Sequence, residues 1–118
     1  MKTILIAEDN DSNYMLMTYI LKKTYLLVRA KNGLEAVELV AKGGIDLVLM
    51  DMKMPVMGGL EATRLIKVSN PEIPVIALTA NAFDHDREQA LEAGCDEFLP
   101  KPVSSQQCHS TIAKYIGD

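Results

Sequence analysis

At 118 residues the chain suits a single domain, predicted to span 1–118, large enough to bury most of its unfolded surface and too short for two independent cores. With 48% apolar and 24% charged residues, its composition is that of an ordinary globule and excludes a disordered or fibrous chain. The net charge of −4 argues against direct nucleic-acid binding; no apolar run approaches the ~20 residues of a membrane helix, and a first strand this close to Met1 leaves no room for a signal peptide, so a cytoplasmic location is expected.

Short β-rich runs alternate with longer segments of helical periodicity, which predicts successive βαβ units around a parallel sheet. The first strand, near 2–7, carries Ile4-Leu5-Ile6-Ala7 and ends on Glu8 and Asp9. A helix near 12–23 follows Asp11-Ser12-Asn13, all good capping types, and sets Tyr14, Met17, Ile20 and Leu21 on one face. After a strand near 26–29, the turn dipeptide Asn32-Gly33 opens a helix near 34–42 with Val37, Val40 and Ala41 as its inner face, terminated by Gly43-Gly44.

The third strand, near 46–50, runs into Asp51, and a helix near 58–68 follows with Leu65 and Ile66 inward before Asn70-Pro71 stops it. The fourth strand, near 74–78, reaches Thr79. Strands three and four are almost continuously apolar, which predicts burial on both faces at the middle of the sheet. The helix near 82–93 is the weakest, because Asp84, His85, Asp86, Arg87, Glu88 and Gln89 leave only Phe83, Ala90 and Leu91 to hold it down. Loose packing is expected there. A last strand near 97–99 delivers Lys101, and a helix near 104–116 closes the domain.

Cys95 and Cys108 are neither at zinc-ligand spacing nor numerous enough for a disulfide scaffold, and are read as buried free thiols. His85 and His109 lack the context of a histidine phosphocarrier and are read as surface residues.

If the five runs are parallel strands of one sheet, Glu8, Asp9, Asp51, Thr79 and Lys101 gather at its carboxyl edge, where open α/β sheets place their chemistry. Each residue alone has a plainer reading as a helix cap, turn former or solvated charge; four such coincidences on one edge are improbable together. Three carboxylates against one lysine leave two negative charges in a crevice, which a divalent cation cancels. All the donors are oxygens, so a hard ion such as Mg²⁺ fits better than zinc. A metal with open positions, a carboxylate nucleophile, an ammonium and a hydroxyl make up the equipment for phosphoryl transfer. Asp51 would attack phosphorus, with Lys101 on one oxygen and Thr79 with the backbone N–H of Ala80 on another.

These residues resemble the receiver domain of two-component response regulators over essentially the whole chain. Glu8-Asp9-Asn10 with Asn13 resembles the family's acidic pair, Met50-Asp51-Met52-Lys53-Met54-Pro55-Val56-Met57 its phosphoacceptor loop, Leu78-Thr79-Ala80 its switch threonine segment, and Gly94-Cys95-Asp96-Glu97-Phe98-Leu99-Pro100-Lys101-Pro102 its terminal signature. The Glu-Asp-Asn start and the Met-Pro-Val-Met loop are most similar to receivers attached to hybrid sensor histidine kinases or serving phosphorelays, and a free single-domain regulator would look nearly the same.

The resemblance implies a doubly wound, flavodoxin-like α/β fold of strand order 2-1-3-4-5 with five helices on both faces. It implies that Asp51 takes a phosphoryl group from a phosphohistidine on a histidine kinase or histidine phosphotransfer protein and later loses it to water. Mg²⁺, or Mn²⁺ as a substitute, would be held by Glu8, Asp9, Asp51 and the Lys53 carbonyl. Thr79 and Phe98 would act as the switch that alters the surface of the fourth helix, fifth strand and fifth helix. The Lys101–Pro102 peptide would be cis. A downstream protein or attached effector domain would read the change, and the domain would be a monomer or a weak phosphorylation-dependent dimer.

Three positions depart from the family pattern. Glu8 stands for the commoner aspartate, Gly58 stands where many members carry Asp, and Lys53 adds a cation at the pocket mouth that is expected to hinder the hydrolysing water. Rival readings are weaker. A haloacid-dehalogenase-type phosphatase needs a second Asp where Lys53 stands, a flavodoxin needs a phosphate loop where Glu8-Asp9 would repel one, and a receiver that binds without phosphorylation would have lost one of the key positions.

Overall fold

A computed structural model of the chain describes residues 1–80 and 84–117. Phe83, expected to help hold the fourth helix down, lies outside the described residues, as does the side chain of His85. In chain order the elements are β1 (Thr3–Ala7), α1 (Asp11–Leu21), β2 (Leu26–Ala30), α2 (Gly33–Ala41), β3 (Leu47–Asp51), α3 (Gly59–Ser69), β4 (Val75–Thr79), α4 (Asp84–Ala93), β5 (Glu97–Pro100) and α5 (Ser105–Ile116). The strands form one parallel sheet in the order β2-β1-β3-β4-β5.

Alternation along each strand divides the core in two. Leu5, Ala7, Val48, Met50, Val75 and Ala77 face α2, α3 and α4 through Ala36, Val40, Ala62, Ile66 and Ala90. Ile4, Ile6, Leu47, Leu49, Ile76 and Leu78 face α1 and α5 through Met17, Leu21, Cys108 and Ile112. Every residue of β3 and β4 is buried, as their unbroken apolar runs predict. Cys95 and Cys108 are free and buried in different halves of that core, which rules out their pairing.

Several local expectations shift by a residue or a helical face. Asn10, not the Asp11–Asn13 stretch, caps α1, its Oδ1 accepting the Asn13 N–H at 2.9 Å. In α2 the buried positions are Gly33, Ala36 and Val40, and Ala41 turns to solvent. In α3 they are Gly59, Ala62, Thr63 and Ile66, so Leu65, about 100° round the helix from Ile66, is exposed. Leu91 is likewise exposed, and α4 is seated instead by Ala90 and Ala93. His109 is half-buried rather than on the surface, its Nε2 2.9 Å from the Ile20 carbonyl.

Candidate functional site at the carboxyl edge of the sheet

The parallel register brings the ends of β1, β3, β4 and β5 level: Ala7 pairs with Met50, Asp51 with Leu78, and Thr79 with Pro100. Glu8 follows β1 directly and extends its ladder, donating its backbone N–H to the Ala30 carbonyl at 3.0 Å. Glu8, Asp9 and Asp51 then offer carboxylate oxygens that all lie within 4.8 Å of one another. Glu8 is only 1% exposed and Asp51 6%, whereas Asp9 is open to solvent.

Lys101 closes the cluster from the far strand, its own N–H donated to the Thr79 carbonyl at 2.7 Å. Its Nζ donates to Glu8 Oε1 at 2.9 Å and lies 3.1 Å from Asp51 Oδ1. Burial pulls the lysine's pKa down, but the hydrogen bonds and charges of Glu8 and Asp51 outweigh it and leave the pKa above its ordinary value. The Lys101–Pro102 peptide is cis.

Thr79 comes to the same edge as the last residue of β4 and is 4% exposed, yet its Oγ1 has no hydrogen-bond partner among the described residues. A buried hydroxyl costs free energy when unpaired, which leaves this one able to donate to a group entering the pocket. Ala80 follows it and is exposed. Lys53 presents its backbone to the cluster, its N–H 3.4 Å from Asp51 Oδ1, while its side chain is exposed at the mouth. Phe98 sits apart from this group, half-buried in the middle of β5 with the Arg87 guanidinium 5.2 Å from its ring centre.

Arg29 is a contributor that the sequence reading passed over. From the end of β2 its Nε and Nη2 donate to the Glu8 carbonyl at 3.2 and 3.1 Å, while Nη2 pairs with Asp11 at 2.9 Å and the guanidinium covers the Tyr14 ring. It holds the turn that carries Glu8 and Asp9. The only signal was a lone cation ending the otherwise apolar run Leu26-Leu27-Val28.

Residues 4–113 match the response regulator receiver domain family. The chain belongs to that family. Over 120 aligned residues this receiver domain is 38% identical to the polar-differentiation response regulator DivK of Brucella anthropi, covering 99% of the chain and 98% of that protein. A solved receiver domain of a sensor histidine kinase from Pseudomonas aeruginosa, with magnesium coordinated in its active-site cleft, is 34% identical with a TM-score of 0.92, covering 99% of this chain and 98% of that one. The receiver domain of the Saccharomyces cerevisiae response regulator Ssk1, solved with the histidine phosphotransfer protein Ypd1, is 31% identical with a TM-score of 0.91, covering 97% of this chain and 88% of that one.

Among the described residues no helix is long and apolar enough to cross a membrane. The donor set of this receiver domain fits a hard divalent ion: it is all oxygen, and its three carboxylates face one ammonium, leaving two negative charges uncompensated.

Proposed function

We propose that this receiver domain is a phosphorylation switch in which Asp51 accepts a phosphoryl group from a phosphohistidine on a partner protein, with Glu8, Asp9, Asp51 and the Lys53 carbonyl holding Mg²⁺ or, as a substitute, Mn²⁺. The observation that carries the reading is the buried Asp51 carboxylate set within one cluster with two further acids and Lys101. The donor is a histidine kinase or a histidine phosphotransfer protein, a class supported by the Ssk1 receiver's complex with Ypd1.

In the transfer, Asp51 Oδ2, which carries no hydrogen bond among the described residues, supplies the electron pair that attacks phosphorus. The P–N bond to the donor imidazole breaks, and the leaving nitrogen takes up a proton. Glu8, Asp9, Asp51 and the Lys53 carbonyl would hold the divalent ion, which when bound would offset negative charge on the acidic cluster and on the phosphoryl group. Lys101, already placed against Asp51, neutralises a second phosphoryl oxygen, while the Thr79 hydroxyl and the Ala80 N–H donate to the third. In the return step a water oxygen adds to phosphorus, the P–O bond to Asp51 breaks, and inorganic phosphate leaves with the carboxylate restored.

Movement of the Thr79 hydroxyl toward the phosphoryl group and inward turning of Phe98 would then alter the α4-β5-α5 surface that a downstream protein or attached effector reads. The Arg87 guanidinium over the Phe98 ring supports this, since it ties the aromatic directly to α4.

Incubation with acetyl phosphate and Mg²⁺ followed by intact mass measurement tests the reading. The expected result is a gain of one phosphoryl group in the wild type and none in Asp51→Asn. Equal labelling of both proteins would remove Asp51 as acceptor, and labelling of neither would remove the function.

A further inference from the structure

Gly33, the first residue of α2, lies against the loop that follows Asp51. Its N–H donates to the Met57 carbonyl at 2.9 Å. A Cβ at this position would stand 2.4 Å from the Met57 oxygen and 3.0 Å from the Gly58 oxygen, both backbone atoms that no side-chain rotation can clear. The start of α2 and the far end of the acceptor loop are therefore in backbone contact that only glycine allows.

The loop gripped in this way is strained. Met57 donates its N–H to the Pro55 carbonyl at 2.7 Å, closing a tight turn around Val56, whose φ is +69°. A β-branched residue in the left-handed region is an outlier, and a three-residue turn of this hand is intrinsically unfavourable. Val56 is 79% exposed, so packing gives nothing back. Such a conformation persists only where its surroundings over-determine it. Here they are the Gly33 clamp at one end and, at the root, the Gly59 N–H on the Met52 carbonyl at 3.1 Å, where a Cβ would meet the Asp51 carbonyl oxygen at 2.3 Å. Lys53, with its N–H on Asp51, lies between the two.

We propose that Gly33 is a positioning residue of the phosphoryl-transfer site: through Met57 it keeps the Val56 turn wound and so holds the Lys53 backbone in place beside Asp51. This rests on the reading of the Lys53 carbonyl as a metal ligand. If Gly33 were merely a close-packed helix start, changing it would cost stability and leave cation binding alone.

A titration with MgCl₂, followed by amide shifts of residues 51–59 in nuclear magnetic resonance spectra and paired with thermal unfolding, separates these cases. Gly33→Ala is expected to weaken Mg²⁺ binding about tenfold, the lower end of what outer-sphere supports of metal ligands contribute. Val56→Gly accepts the positive φ without strain, so alone it should bind Mg²⁺ as the wild type does. Combined with Gly33→Ala it should restore affinity to within roughly threefold, because an unstrained turn no longer needs the clamp.

Should Gly33→Ala fail to fold, Asn32→Ala serves instead. It removes the side chain that accepts the Glu35 N–H at 2.9 Å, loosening the same helical turn without adding bulk at Gly33, and is expected to weaken Mg²⁺ binding about threefold. Wild-type affinity in both Gly33→Ala and Asn32→Ala, or in Asn32→Ala alone if the other does not fold, overturns the inference and leaves the metal reading intact. A wild-type protein that shows no Mg²⁺-dependent shifts overturns the metal reading and this inference together.

Discussion

Lys101 Nζ stands 2.9 Å from Glu8 Oε1, so a cation delivered by β5 is paired across the sheet edge with an almost fully buried carboxylate that follows β1. Removing that cation by Lys101→Met strands Glu8 among low-dielectric surroundings. The variant is expected to lose roughly 2 kcal/mol of stability in EDTA, the scale of a hydrogen bond to a charged group. Mg²⁺ should return more stability to it than to the wild type, because the uncompensated charge is greater. Urea unfolding with EDTA and with Mg²⁺ measures both, and an equal Mg²⁺ increment in the two proteins would contradict the account.

Thr79 makes the opposite prediction for stability. Its buried Oγ1 has no partner to lose among the described residues, so the near-isosteric Thr79→Val should leave the unfolding free energy unchanged or raise it by up to about 1 kcal/mol. Phosphorylation of Asp51 should persist in this variant while the accompanying changes in the amide spectrum of β5 and α5 disappear. A marked loss of stability would show that the hydroxyl is structural.

Lys53 places its side chain in solvent at the pocket mouth while its backbone N–H touches Asp51. If the ammonium obstructs the hydrolysing water, Lys53→Ala should shorten the lifetime of the aspartyl phosphate by a fewfold. Decay of the phosphorylated mass after removal of acetyl phosphate reads this out, and equal lifetimes would remove the idea.

Burial pushes both thiols up, from the ordinary 9.0 to about 11: for Cys95 against the smaller opposing effect of the Thr63 hydrogen bond, and for Cys108 unopposed. Between about pH 9 and 11 the unfolded chain has therefore released protons that the folded protein still holds, and stability falls as pH rises through that window. Each thiol contributes roughly 2 to 3 kcal/mol that is fully present below pH 9. Urea midpoints of the wild type and the Cys95→Ala, Cys108→Ala double variant, taken from pH 7 to 10.5, should converge as pH rises. Alkylation at pH 8 should require unfolding.

Most of the architecture is legible from local pattern. Unbroken apolar runs mark β3 and β4 as central, and the alternation of short runs with helical segments prescribes a parallel sheet, since each crossover needs its helix. Edges of helical faces were less legible: Leu65, Leu91 and Ala41 have the right chemistry for an inner face but lie beside the stripes that Ile66, Ala90 and Val40 define. Periodicity locates a stripe to within about one residue, or 100° of rotation.

For the candidate site, residue types at strand ends marked which side chains gather at the carboxyl edge, because a carboxylate, a hydroxyl or an ammonium at the end of a buried strand has few structural reasons to be there. Glu8, Asp9, Asp51, Thr79 and Lys101 could all be named before any coordinates. Tertiary structure alone decided how they are held: that Lys101 bridges Glu8 and Asp51, that Arg29 grips the Glu8 carbonyl from β2, and that Gly33 presses against Met57. Those contacts join residues far apart in the chain, and the last two end on backbone carbonyls, which every residue possesses, so local sequence carries little trace of them.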